Sequence, residues 1–229
     1  MSTIDLIVRS RPVILEILES RGYDVASYKD VSPTDIYALA SKKPSVLTIT
    51  AKKLADSSAP KDRAVVLYWT ENKLYRQSAA GLLEKMFVKM DESSNDDEHT
   101  PSGGEDVEGV DPRHDEIIVI LSEAFHEQYT QLALNSWAKK IRVSFFPLKN
   151  LISNPARHFM VPPHRKLTPE ETAEVLKNLH MRSVTEFPHI KFHFDMQARV
   201  LGLVPNDVVE IQRPSETAGI YTFYRVCLP

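Results

Sequence analysis

Apolar positions recur at helical spacing from Ser10 to Arg21. Val13, Ile14, Ile17 and Leu18 fall on one face there, and Gly22 stands as a C-terminal stop. Pro12 fits the first turn of that helix, where its missing N–H costs nothing. Ser32-Pro33-Thr34-Asp35 reads as an N-cap opening a second, shorter helix. The pattern then changes to runs rich in β-branched and aromatic residues, Ser45 to Thr50 and Ala64 to Thr70, which predict strands. Ala79 to Val88 is helical again. Glu116 to Leu121 predicts a short buried strand. His126 to Lys140 predicts a helix carrying Tyr129, Leu132, Ala133 and Trp137, and Ile141 to Phe146 a further strand. Strand, helix and strand within about thirty residues make a βαβ unit, which favours a parallel pair in a sheet covered by helices.

From residue 151 onward the elements are shorter. Arg157 to Val161 reads as a strand ended by Pro162-Pro163. Thr168-Pro169-Glu170-Glu171 is a capping box with Pro at the first helical position, and the helix it opens carries Ala173, Leu176 and Leu179 on one face. Asp195 is placed to cap a shorter helix ending at Gly202. Pro205-Asn206-Asp207 is a turn. Val208 to Arg213 and Ile220 to Leu228 are strands joined by Pro-Ser-Glu-Thr-Ala-Gly, in which Gly219 supplies a positive φ. The expected fold is an α/β N-terminal domain, with helices on a small mixed sheet, over residues 1–150. A small α+β C-terminal domain is expected over 151–229.

The formal net charge of −3 hides a division. Residues 91–111 hold nine acidic side chains and no Lys or Arg, so the remainder is net positive. With almost no apolar side chain, that tract cannot offset its ordering entropy and is expected to be a disordered loop inserted in the first domain. No apolar run reaches the roughly 18 residues of a membrane helix. Met1-Ser2-Thr3-Ile4-Asp5 has no basic region followed by an apolar core, so no secretory signal is expected. The single Cys227 can form neither an internal disulfide nor a Cys-based zinc site.

One ordered set of residues carries a resemblance. It comprises His158, Val161-Pro162, His164, Leu167, Pro188, Ile190, Asp195, Gly202, Val208-Val209, Ile211, Arg213, Ser215, Thr217, Gly219, Tyr221 and Tyr224-Arg225. In order and spacing it resembles the small assembly subunit shared by the three eukaryotic nuclear RNA polymerases. The archaeal member of that family consists of the second domain alone. Arg21-Gly22-Tyr23 fits the eukaryotic form. The resemblance implies a jaw-like first domain near downstream duplex DNA and a second domain that docks on the largest polymerase subunit. It implies no active site, cofactor or metal of the chain's own. The docking residues it implies are His158, Pro162, His164, Arg213, Thr217, Gly219, Tyr221 and Arg225.

The chain departs from the family pattern at several places. Asp195-Met196 stands where the family has Asp-Pro, Pro163 replaces a lysine, and Asn206 replaces a turn glycine. Phe125-His126-Glu127-Gln128 falls opposite a Thr-Pro-Ser-Ala segment implicated near DNA. With the acidic insert, these departures point to a specialised or virus-encoded copy. The implied setting is the nucleus for a cellular protein, or a cytoplasmic viral factory or virion for a viral one.

The residues also offer chemistry of their own. Lys139, Lys140 and Arg142, with Lys52-Lys53, are small basic clusters suited to phosphate contact without sequence readout. Asp62, Glu71 and Lys73 form a loose version of the two-carboxylate-and-lysine arrangement of metal-dependent nucleases. His189 with His193, four apart, and His158 with His164, six apart, would need a third ligand to hold a metal, and Pro188 sets the first pair in an extended or turning segment, so both pairs read as structural histidines. No glycine-rich phosphate loop and no Gly-x-Ser-x-Gly occur. The competing readings are therefore a nuclease using Asp62, Glu71 and Lys73, and an adaptor that binds a polymerase without being a stoichiometric subunit.

Overall fold

The computed structural model describes residues 2–42, 47–55, 57, 59–69, 114–122 and 124–229. The expected acidic loop at 91–111, the helix at 79–88, and Glu71 and Lys73 lie outside these.

Helix α1 runs over Thr3–Ser20. It starts a full two turns before the expected Ser10, because Ser2 and Asp5 form a reciprocal capping box. Pro12 is therefore inside the helix rather than in its first turn. It lies on the exposed side of the helix. The opposite face buries Ile7, Ile14, Ile17 and Leu18, which outweighs the proline. Gly22, at φ 90°, ends the helix as expected.

Strand β1 (Tyr23–Asp24), helix α2 (Ala26–Lys29) and helix α3 (Pro33–Lys42) follow. Then come β2 (Ile49–Lys53), β3 (Arg63–Trp69), β4 (Asp115–Leu121), α4 (Glu127–Ala138) and β5 (Arg142–Pro147). The strand predicted over Ser45 to Thr50 lies later: Leu47 and Thr48 lead into β2, whose register with β3 begins at Ile49 opposite Val66. These strands form one mixed sheet in the order β1-β2-β3-β4-β5. The β4–α4–β5 unit is parallel, with Ile117 opposite Val143. Strand β4 is buried along its whole length, with side chains alternating between two apolar clusters. Ile118 and Ile120 join α1 on one face. Ile117, Val119 and Leu121 join the α4 side on the other.

The chain then turns through two 3-10 segments, Leu148–Leu151 and Pro155–Arg157. The expected strand at 157–161 is absent. Asn154 accepts from the Ala156 N–H, Pro155 takes the first position, and Val161 N–H closes a turn on His158. Strand β6 (His164–Lys166), helix α5 (Pro169–Asn178), strand β7 (His189–Lys191), helix α6 (Met196–Val200), and strands β8 (Val208–Ser215) and β9 (Gly219–Leu228) complete the chain. They form a second sheet in the order β6-β8-β9-β7. The α5 capping box on Thr168 is present, but its inward residues are Val175 and Leu176. Ala173 and Leu179 are exposed. Asn206 takes φ 75°, as a turn glycine would.

The two sheets share a core. Ile190, Phe192, Val209, Ile211 and Cys227 pack in the same cluster as Ile117, Val143 and Phe145. Helix α6 straddles the edge, giving Ala198 to that cluster and Val200 to the one under α1.

Candidate functional site

Among the described residues, polar side chains gather at the seam between the sheets and in a groove on the second sheet.

At the seam, the ladder puts Glu116 beside Arg142 on the face that α1 covers. Arg21, just past the end of α1, donates through Nη1 to Glu116 Oε1 at 2.8 Å, and Tyr23 Oη donates to Oε2 at 2.8 Å. Arg142 Nε lies 3.6 Å from the same carboxylate. The two guanidinium groups then reach across to the end of α6. Arg21 Nε donates to the Val200 carbonyl at 3.0 Å and Nη2 to that of Arg199, while Arg142 Nη2 donates to that of Gly202. These carbonyls lie at the C-terminal end of α6 and just past it, and that of Arg199 also accepts from the Gly202 N–H at 3.1 Å. In the other direction, Arg199 Nη1 donates to the Phe145 carbonyl at 3.1 Å and Phe145 N–H donates to His193 Nε2 at 2.9 Å. The outer edge of β5 is thus held by side chains where another strand would pair.

Burial opposes charge on Glu116, but Arg21, Arg142 and the Tyr23 hydroxyl prevail and hold its carboxyl below the usual carboxylate range. Burial and the nearby Glu116 push the Tyr23 phenol up. The cavity along the seam, bounded by Glu116, Arg142 and His193, is only ≈ 20 Å³. That is too small for a substrate, so the seam is a fastening rather than an active site.

This corrects one sequence reading. Arg142 is buried and engaged with Glu116 and Gly202, so it presents no charge to DNA. Lys139 and Lys140 at the end of α4 are exposed, as are Lys52 and Lys53 on β2. His193 is likewise enclosed, ringed by Phe125, Phe145 and Phe192, while His189 lies exposed on β7. Among the described residues no cluster of three potential metal ligands occurs. Asp62 is exposed, 3.5 Å from His114 Nδ1. The Cys227 thiol is pushed up to about 12 by burial, with Asp207 adding to it, which leaves it unreactive.

Gly202 makes the seam's tightness measurable. It holds φ 62°, and an added Cβ would meet Arg21 Cζ at 3.1 Å and Glu116 Oε1 at 3.3 Å. Gly219 has a similar φ of 72° with nothing within 4 Å. Gly219→Ala is expected to cost about 1–2 kcal/mol, the backbone penalty alone. Gly202→Ala is expected to cost more, because it also displaces the ion cluster. Thermal melts of the two variants side by side check this, and equal losses would refute it.

The groove, of ≈ 560 Å³, lies between the 155–164 turn and the β8–β9 sheet. It gathers five of the eight docking residues read from the sequence: His158, Pro162, His164, Arg213 and Arg225. Strand alternation explains the grouping. Ile211, Arg213, Phe223 and Arg225 fall on one face, with His164 opposite Ile211 in register. Phe223, which the sequence reading missed, lies between the arginines. The Arg213 and Arg225 guanidinium carbons are 5.1 and 5.8 Å from its ring centre. His164 donates through Nδ1 to the Pro162 carbonyl at 2.6 Å, and His158 Nδ1 accepts from Met160 N–H at 3.3 Å. The other three residues lie along the projecting hairpin. Tyr221 stacks on Phe223 at 6.1 Å and is exposed, while Thr217 and Gly219 form the tip.

A scan against family models matches residues 153–227 to the C-terminal domain of RNA polymerase Rpb5. Among curated proteins, the chain is 45% identical over 69 residues to the archaeal DNA-directed RNA polymerase subunit Rpo5 of Thermococcus kodakarensis. That match spans 30% of this chain and 82% of the relative. Over essentially the full length of both chains it is 28% identical to the rpabc1 subunit of DNA-directed RNA polymerases I, II and III of Dictyostelium discoideum. It is 25% identical to the RPABC1 subunit of Caenorhabditis elegans over 95% of this chain and 93% of that one. The matched region holds both the groove and the α6 side of the seam.

Proposed function

The chain belongs to the family of the RNA polymerase Rpb5 C-terminal domain, with eukaryotic RPABC1 and archaeal Rpo5 subunits as relatives, and from that membership we propose that it is a non-catalytic subunit of a multisubunit DNA-directed RNA polymerase. It has no active site of its own in this reading. The full-length relatives are named as subunits, which supports a stoichiometric component over an occasional adaptor, and they are eukaryotic, which supports a nuclear place of action over a viral one.

Within that role, residues 151–229 dock on the largest subunit and residues 1–150 form the jaw directed at downstream duplex. The observation that carries the docking assignment is the groove, where His158, Pro162, His164, Arg213 and Arg225 converge in the region matched by the family model. Thr217, Gly219 and Tyr221 extend the same surface along the hairpin. Lys139 and Lys140 make the jaw's contact with DNA, which is weak, independent of sequence and lost with added salt, since it is directed at phosphates. The shared core of the two sheets supports a jaw held rigidly on the docking unit.

Affinity purification of the tagged chain from cells tests the reading. The expected result is recovery of the largest subunit in equal amount. Arg213→Ala with Arg225→Ala is expected to reduce recovery by about tenfold or more, since losing a buried charged partner costs about 2–5 kcal/mol. Gly219→Val, which strains only the backbone, is expected to weaken it less. Lys139→Ala with Lys140→Ala leaves recovery intact and lowers crosslinking to downstream DNA. Recovery that survives the arginine changes and fails with the lysine changes would reverse the division of labour.

A further inference from the structure

We infer that the groove beside the β8–β9 hairpin recognises an acidic polypeptide segment bearing an aromatic or branched apolar anchor. The inference rests on the docking reading and specifies the chemistry of what docks.

The floor is apolar. Ile190 and Ile211 are buried beneath it and Phe223 is half-buried. Such a floor rewards an apolar side chain that leaves water. Two guanidinium groups and one carboxylate line it. Arg213 and Arg225 both lean on Phe223, which holds two flexible side chains in place before any partner arrives. Arg225 spends Nη1 on the His189 carbonyl at 3.2 Å, and its Nε is buried with no partner among the described residues. The one carboxylate in the lining, Asp195, is already committed, accepting from the Gln197 N–H at 2.8 Å as the cap of α6. The groove therefore contains pre-positioned guanidinium groups over a low-dielectric floor and no uncommitted carboxylate to answer them. Forked guanidinium donors in that setting suit carboxylates.

Size favours a segment over a small ion. At ≈ 560 Å³ the groove accepts several side chains at once. Phe159 and Met160, 88% and 71% exposed on the turn that walls it, extend the apolar surface outward. Nucleic acid fits less well, because a phosphate backbone calls for a line of cations rather than two arginines bracketing an aromatic ring.

The test uses the purified full chain and a short fluorescein-labelled peptide of alternating Glu and Phe. Its controls are the same peptide with every Glu replaced by Gln and an unlabelled single-stranded oligothymidine competitor. The expected result by fluorescence anisotropy is saturable binding of the Glu peptide, weakened about tenfold or more by the Gln replacements and by either Arg213→Met or Arg225→Met. Unchanged melting temperatures establish that the variants fold, and Arg213→Lys is expected to retain part of the affinity. Equal binding of the two peptides, or wild-type binding by both Met variants, overturns the inference. So does displacement by oligothymidine at lower concentration than by unlabelled Glu peptide. Because the measurement needs no polymerase, its failure leaves the co-purification result standing, and loss of co-purification leaves the peptide result standing.

Discussion

Glu116→Gln is expected to remove about 3–5 kcal/mol of folding stability in urea titrations near neutral pH, a large fraction of what a domain possesses. The side chain keeps its size, so no cavity is made. The change removes the counter-charge from two guanidinium groups. The Arg21 and Arg142 side chains are 3% and 9% exposed, and Glu116 is 1% exposed. Stranded together they repel, and neither can reach water without abandoning the α6 carbonyls that tie the sheets. Replacing Arg21, Glu116 and Arg142 together by Met is expected to recover only part of the loss, since it removes the stranded charges but leaves the Val200 and Gly202 carbonyls and the Tyr23 hydroxyl without these partners. The pH profile carries the same signature. Glu116 holds its proton less tightly folded than unfolded, so its contribution is complete above the ordinary carboxylate value of about 4.3 and drains as pH falls from there through the lower folded value. Glu116→Gln flattens that part of the profile. A Glu116→Gln loss below about 0.5 kcal/mol, the scatter of ordinary surface changes, would show that the cluster does not fasten the sheets.

His193 is expected to govern an earlier acid loss. Burial, then the charges of Arg199 and Arg21, lower its pKa to about 3. Its Nε2 must stay unprotonated to accept from Phe145 N–H. The unfolded chain binds this proton at the ordinary imidazole value of about 6.5, and the folded chain does not. The contribution of neutral His193 is therefore complete above about pH 6.5. It is lost as pH falls from there toward the folded value, with a limiting slope of about 1.4 kcal/mol per pH unit. His193→Asn tolerates the φ of 58° found here better than most replacements. It is expected to start from lower stability at neutral pH and to lose less between about pH 6.5 and 5. A variant whose slope over that window equals that of the parent would place the sensitivity on other histidines.

Much of the fold is read from local pattern. The β4–α4–β5 unit, the capping boxes, the Gly22 stop and the turns at Asn206 and Gly219 all follow from residues within a few positions of one another. The misreadings came where two local signals competed. Pro12 looked like a helix start until the Ser2–Asp5 box, with a stronger claim, set the start earlier. The stretch 157–161 looked extended until Asn154 and Pro155 drew it into turns. Arg142 looked like a surface cation because charge carries no record of its burial. The one available hint was Glu116 at the head of an all-apolar strand, a position where a carboxylate needs a cation.

The sequence by itself determined the family, the elements and the candidate docking residues, because spacing along a chain is preserved in the sequence. Tertiary structure alone decided which residues meet. It brought Arg21 to the carbonyls of Val200 and Arg199 and brought His193 to Phe145. It also divided the docking set into five groove residues and three on the hairpin. The reason is physical. Hydrogen bonds between groups so far apart in sequence arise only after apolar burial has folded both sheets onto one core, and no periodicity in either segment encodes its distant partner.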